Sequence, residues 1–186
     1  MIHALDTTYQ KESACHEGTT YVFTDPISKL KFYGGGDYRG LIIYKGHLIL
    51  DVGANISSEV LYDNLSADTK ELQKYNTTPV IRLRWFDYSV PSLPFAFWTD
   101  LLDVIRAEKR DVICACMGGH GRTGTILSIL GAITEGIPPN ICPVSFIREH
   151  YCKNAVESLS QILYIEKMTN RTVLATPADE VTWLGY

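Results

Sequence analysis

The stretch Cys116-Met117-Gly118-Gly119-His120-Gly121-Arg122-Thr123-Gly124-Thr125 constrains this chain more than any other. An apolar run, Val112-Ile113-Cys114-Ala115, precedes it, and a helix-forming run, Thr125-Ile126-Leu127-Ser128-Ile129-Leu130, follows. The pattern reads as strand, glycine loop and helix N-terminus, with a nucleophile at one end of the loop and a cation at the other. A helix N-terminus presents unpaired N–H groups and a partial positive charge, so it attracts anions. Gly118, Gly119, Gly121 and Gly124 let successive amides turn inward with no β-carbon in the way. Arg122 adds a planar fork that matches two phosphate oxygens. The same field favours thiolate over thiol at Cys116. An anion cradle above an activated sulfur suits covalent phosphoryl transfer.

Two further stretches carry chemistry. Trp85-Phe86-Asp87-Tyr88-Ser89-Val90-Pro91 sets an aspartate among aromatics. An alkoxide or phenoxide leaving group needs a proton, which a positioned carboxylic acid supplies. Val156-Glu157-Ser158-Leu159-Ser160-Gln161-Ile162-Leu163-Tyr164 sets Gln161 on a helical pattern, where it serves equally as part of a polar face.

Taken together, these residues resemble the cysteine-based protein tyrosine and dual-specificity phosphatases, as a compact member. Cys-x5-Arg followed by Thr-Gly-Thr is similar to that family's signature loop. Residues 85–91 are similar to its mobile acid loop, where Trp-Pro-Asp is followed after two residues by Val-Pro. Residues 156–164 resemble its late glutamine segment. The resemblance implies a central mixed sheet flanked by helices, an α/β fold in a single domain. It also implies residue roles. Arg122 and the amides of Met117, Gly118, Gly119, His120 and Gly121 would bind phosphate, and Cys116 would attack phosphorus. Asp87 would act as acid and then base, Thr123 would donate to the Cys116 sulfur, and Gln161 would hold the hydrolytic water. Neither a metal nor another cofactor is implied, because Arg122 and the amides supply the positive field. The implied partner is a phosphorylated substrate, a phosphoprotein in the first instance. The same chemistry on a phosphoinositide, nucleotide or RNA 5′-phosphate is the alternative, as is a catalytically weak phosphate-binding module.

The likeness covers about residues 79–168, and the first seventy-odd residues carry no assignable motif. It departs in four places. Ala115 stands where the family has histidine, Phe86 where it has proline, and Glu157 where it has a first glutamine. His120 is unusual inside the loop; it either points at the substrate rim, favouring acidic substrates when protonated, or hydrogen-bonds within the loop.

Length and composition agree with this reading. The chain's 186 residues suffice for one domain with a real core. A net charge of −4 does not suggest binding to nucleic acid or anionic membrane. No apolar run is long enough to span a bilayer, and residues 1–6 lack a signal-peptide layout. Five cysteines at irregular spacing do not form a disulfide framework. A catalytic thiol also needs a reducing compartment, so a cytoplasmic location is expected. A zinc site built from Cys114, Cys116, His120, Cys142, His150 and Cys152 is the rival use of these residues, though their spacing is poor.

Periodicity predicts the remaining elements. Residues 1–20 form a polar segment, and Tyr21-Val22-Phe23 a short strand. Gly34-Gly35-Gly36-Asp37 is expected to turn, and residues 41–50 to form a hairpin about Lys45-Gly46-His47. Helices are expected at 58–65 and at 67–75, the second capped by Ser66. A strand at 80–84 would put Arg82 and Arg84 on one face, Arg82 toward solvent and Arg84 either toward solvent or at the substrate mouth. Helix 95–108 would bury Trp98, Leu101, Leu102 and Ile105, with Arg106, Lys109 and Arg110 complementing its dipole. Strand 111–115 would deliver Cys116. Helices would follow to about Glu135, then from 138 to 151 and from 155 to 168, with an irregular tail at 169–186.

Overall fold

The computed structural model describes residues 16, 18–36, 40–43, 46–53, 62–64 (backbone) and 79–178. The expected helix at 67–75 with its Ser66 cap, the Lys45 turn residue and the end of the tail lie outside them.

Among the described residues six strands form one mixed sheet: β1 (Thr19–Thr24), β2 (Lys31–Gly36), β3 (Leu48–Asp51), β4 (Tyr62–Asn64), β5 (Val80–Leu83) and β6 (Val112–Cys116). Their spatial order is β1-β2-β6-β3-β5-β4. Only the β1–β2 pair is antiparallel; the others run parallel. The continuous apolar run of β6 explains its central place, because a parallel strand covered on both faces has no polar side to show. Five parallel strands (β2, β6, β3, β5 and β4) therefore end at one edge, and ligands in open α/β sheets bind beyond the carboxyl ends of the strands. The segments that leave β3, β5 and β6 there are Val52-Gly53, residues 84–94 and the glycine loop.

Four helices complete the described architecture: α1 (Phe95–Glu108), α2 (Gly121–Ile133), α3 (Pro143–His150) and α4 (Leu159–Thr169). Helix α1 buries Phe97, Trp98, Leu101, Leu102 and Ile105, the stripe its spacing predicts. Helix α2 is buried on nearly every side, from Gly121 to Ala132, and so lies in the core rather than on it. Trp98 Nε1 donates to Tyr164 Oη at 3.0 Å, and that hydroxyl donates to the Leu93 carbonyl at 3.1 Å, tying α4 to the approach to α1.

Several expectations are corrected. The hairpin is not at 41–50 but at β1–β2, turning through Asp25–Leu30. Strand β3 pairs in parallel with β5 and β6, partners far along the chain. Gly34, Gly35 and Gly36 do not turn; they finish β2 opposite Cys114, Ala115 and Cys116. Residues 62–64, expected in a helix, form β4 beside β5. Residues 138–142 precede α3, because proline without an N–H suits the first turn at Pro143 rather than a long lead-in. Helix α4 starts at Leu159 because Ser158 caps it, with Gln161 completing a capping box. Arg82 is not a solvent-facing residue: its Nε meets the buried carboxylate of Asp51 at 2.9 Å. Arg106 does more than complement a dipole, since it pairs with buried Asp25 at 2.8 Å.

Candidate active site

Strand β6 ends on Cys116, which is buried at the floor of the glycine loop. Its Sγ accepts the Gly119 N–H at 3.2 Å. Gly119 sits at φ +76°, a conformation that glycine adopts without strain and that turns this amide back toward the sulfur. The loop rests directly on β2: a β-carbon at Gly36 would lie 2.6 Å from the Gly118 carbonyl carbon. From the other side Tyr151 Oη donates to the Gly119 carbonyl at 2.5 Å. Thr123, expected to donate to the sulfur, instead donates to the Gly35 carbonyl at 3.3 Å. A hydroxyl has one proton, and here it fastens α2 to β2. Ala115 points to the opposite face, among Ile49 and Val80, so a polar side chain there would enter an apolar cluster. The Gly119 amide supplies a hydrogen bond to sulfur that needs no histidine.

Arg122 opens α2 and is buried. Its Nη1 donates to the Trp85 carbonyl at 3.0 Å, and its Nη2 meets Asp87 Oδ1 at 3.1 Å. Its Nε is buried and has no hydrogen-bond acceptor among the described residues. Gly53, at φ +90°, makes room for the guanidinium; a β-carbon there would lie 2.4 Å from Nη1. The Gly53 turn is held in turn by Asp51, whose Oδ1 accepts the Gly53 N–H at 3.0 Å while Oδ2 takes Arg82. Arg82 and Asp51 thus act on the site through Gly53. Asp87, Cys116 and Arg122 line one cleft of about 210 Å³, with the Asp87 side chain 55% exposed at its mouth. Phe86, where the resembled loop has proline, is 87% exposed beside it.

Gln161 is fully buried rather than part of a polar face. Its Oε1 accepts the backbone N–H of Glu157 at 2.8 Å and of Ser158 at 3.3 Å. Its Nε2 is buried, has no acceptor among the described residues, and lies where a β-carbon on Gly121 would approach to 2.9 Å. Glu157 borders the same cleft and pairs with His120 at 3.4 Å. The His120 bond therefore crosses to the segment before α4 instead of staying within the loop. His16 packs its ring against His120 and Tyr151, with centroids 5.2 and 4.8 Å away. Neither His16 nor Tyr151 carried a sequence signal: one lies in an aperiodic polar segment, the other at a helix end.

No family model matches the chain. Two uncharacterized proteins of Methanocaldococcus jannaschii are similar to part of it. One is 34% identical over 76 residues, which is 40% of this chain and 45% of that protein. The other is 36% identical over 76 residues, 40% of this chain and 49% of that protein. The chain thus matches less than half the length of either relative. Among solved structures, a protein tyrosine phosphatase of Trypanosoma cruzi superposes with a TM-score of 0.51 at 14% identity, over 85% of this chain and 74% of that one. The fold is that of a protein tyrosine phosphatase. Tk-PTP in its active form gives a TM-score of 0.49 at 18% identity, over 76% of this chain and 92% of that one.

Within this phosphatase-like fold the residues of the zinc reading are scattered. Cys114 is buried inside β6, and burial pushes its thiol well above the ordinary range. Cys142 occupies the N-cap of α3, and His150 stacks on Phe146 at 3.9 Å. His120 and Cys152 come together instead with His16, their ligand atoms all within 4.8 Å of one another. Cys152 is disulfide-bonded, a bond not expected from the cysteine spacing, so its sulfur offers no thiolate. Among the described residues no helix is long and apolar enough to cross a membrane.

Proposed function

We propose that this chain is a cysteine-dependent phosphomonoester hydrolase of the tyrosine or dual-specificity type. What carries the reading is the meeting of Cys116 Sγ, the Arg122 guanidinium and the Asp87 carboxylate in one cleft, with Arg122 Nε buried and lacking an acceptor. A buried polar atom without a partner costs free energy unless a ligand satisfies it. A phosphate dianion offers oxygens to Nε and Nη2 together, and to the loop amides from Met117 to Arg122.

Phosphate takes over Nη2 from Asp87, which turns to the leaving oxygen. The Cys116 thiolate attacks phosphorus in line. The S–P bond forms, the P–O bond breaks, and Asp87 gives its proton to the departing oxygen. Water then attacks the phosphocysteine, with Gln161 Nε2 beside Gly121 available to orient it. Asp87 takes the water's proton, the P–S bond breaks, and inorganic phosphate leaves. Thr123 and Tyr151 keep the loop in place through Gly35 and Gly119. A phosphoprotein is the proposed substrate.

Hydrolysis of a small aryl phosphate in the presence of chelator tests the reading. Wild type is expected to turn over, Cys116→Ser to be inactive, and Asp87→Asn to be slowed by roughly 100-fold, the low end for lost general-acid catalysis. Activity that survives Cys116→Ser overturns the mechanism. An inactive wild type that still binds vanadate through Arg122 reduces the chain to a phosphate-binding module.

A further inference from the structure

The segment that bears Asp87 is anchored at its start by buried Trp85, while Phe86, Asp87 and Tyr88 at its tip are exposed and depend on hydrogen bonds and the Arg122 ion pair for their placement. Behind it lies a cleft of about 320 Å³ lined by Leu83, Trp85, Val90, Leu93 and Phe97, among others. Inside the segment, Trp85 Nε1 donates to the Ser89 carbonyl at 2.7 Å, and Ser89 Oγ donates to the Phe86 carbonyl at 2.7 Å. These bonds shape a tight turn but do not fasten it to the rest of the molecule. Tyr88, immediately after the acid, sits at φ +54°, a region that bulky side chains seldom occupy. A conformation of that kind persists when its surroundings enforce it. Two hydroxyls do so. Ser158 Oγ donates to the Tyr88 carbonyl at 3.0 Å and Ser160 Oγ donates to it at 3.2 Å. The two hydroxyls also lie 2.9 Å from each other.

Ser158 is at the same time the N-cap of α4, accepting the Gln161 N–H at 3.3 Å. One side chain therefore connects the backbone beside Asp87 to the helix that carries Gln161. We propose that Ser158 and Ser160 form a latch that holds Asp87 in its acid position, so that they are positioning residues for leaving-group protonation. The inference rests on the phosphatase reading above. It goes beyond that reading in assigning two side chains that touch no substrate. The latch biases the segment toward the conformer in which Asp87 reaches the cleft, and its removal lets the segment populate others.

The test compares kcat/KM for phenyl phosphate and for dinitrophenyl phosphate. The first leaving group needs a proton and the second needs little help. Variants are Ser160→Ala, Ser158→Asp, the pair combined, and Ser158→Thr. Ser158→Asp keeps a capping acceptor for the Gln161 N–H while removing the donor to Tyr88. Ser160→Ala alters only an exposed hydroxyl and leaves the cap intact. The combined variant is expected to lose roughly tenfold in kcat/KM for phenyl phosphate, about the weight of one or two hydrogen bonds. For dinitrophenyl phosphate it should lose less than about twofold, because the acid contributes little there. Ser158→Thr, which keeps both donor and acceptor, should behave as wild type. In an Asp87→Asn background the latch substitutions should cost nothing further on phenyl phosphate. Equal losses on both substrates, or none on phenyl phosphate while Asp87→Asn alone is slowed, overturn the latch and leave the acid assignment standing. If Asp87→Asn itself leaves kcat/KM for phenyl phosphate unchanged, the acid assignment fails and the latch fails with it.

Discussion

Gly53 shows how closely a single residue is tied to the cleft. At φ +90° it adopts a backbone state open to glycine, and its missing side chain is the space in which Arg122 Nη1 lies. Gly53→Ala is expected to destabilise the fold by about 1 kcal/mol through the backbone alone. It should also displace the guanidinium, weakening vanadate binding at least about tenfold, a loss of about 1.4 kcal/mol. Isothermal titration with vanadate, alongside urea unfolding, separates the two effects. Loss of stability with unchanged vanadate affinity would mean that Arg122 does not depend on this opening. At the same scale, strand alternation by itself makes Arg82 a solvent-facing residue. What alternation does not reveal is that Asp51, 31 residues earlier and opposite Arg82 on the neighbouring strand β3, is buried and needs a cation. A buried carboxylate must be paired, so burial of Asp51 decided the role of Arg82.

At the scale of elements, the glycine loop is sandwiched between β2 and the start of the segment after α3. Tyr151 spans this sandwich, with its ring over Gly34 and its hydroxyl on the Gly119 carbonyl. Tyr151→Phe keeps the ring and removes the bond, leaving a carbonyl without its partner; about 1–3 kcal/mol of stability should go with it. Gly34→Ala works from the opposite side: the new β-carbon would meet the ring at 2.6 Å, and overpacking of this kind costs about 1–3 kcal/mol. Urea unfolding reads the stability of both variants. Vanadate affinity should fall in both as well, because each loosens the support of the loop amides. If both unfold earlier but bind vanadate as wild type does, the loop holds its shape without Tyr151.

For the molecule as a whole, the β1–β2 turn is joined to α1 through Asp25 and Arg106. Burial alone would raise the Asp25 carboxyl; Arg106, the Ser28 hydroxyl and the Ile27 N–H outweigh it and hold the group at about 2. A carboxyl held below its ordinary value favours the ionised form in the fold. Its contribution is therefore complete above about pH 4 and is lost as pH falls toward 2, amounting to about 2 kcal/mol. Arg106→Ala leaves that carboxylate buried without its cation, so it should destabilise the protein by about 3–5 kcal/mol at neutral pH. The difference from wild type should shrink as the pH is lowered through this window. Urea midpoints at pH 7, 4 and 2.5 measure it; a difference independent of pH would exclude the ion pair as its cause. Elsewhere in the core, Leu127 in α2 is fully buried, and Leu127→Ala should cost about 2–5 kcal/mol by the same measurement.

Local spacing alone was enough for α1, β6 and the loop between β6 and α2, because helix period, an apolar run and clustered glycines act within a few residues of one another. It was also enough to single out Cys116 and Arg122 as candidates, since nucleophile and cation bracket one glycine loop; Asp87 needed the family resemblance, because an aspartate among aromatics reads by itself as a solvated loop residue. The tertiary structure decided what depends on distant partners. Gly34–Gly36 resembles a turn until β6 lies alongside and the glycine loop needs the room above it. Thr123 turns from the sulfur to Gly35 because β2 brings an acceptor within reach. Ser158 and Ser160 read as ordinary helix-start residues until the Tyr88 carbonyl arrives opposite them. In each case the deciding contact joins segments far apart in the chain, and residue type and spacing carry no record of which segments the core will bring together.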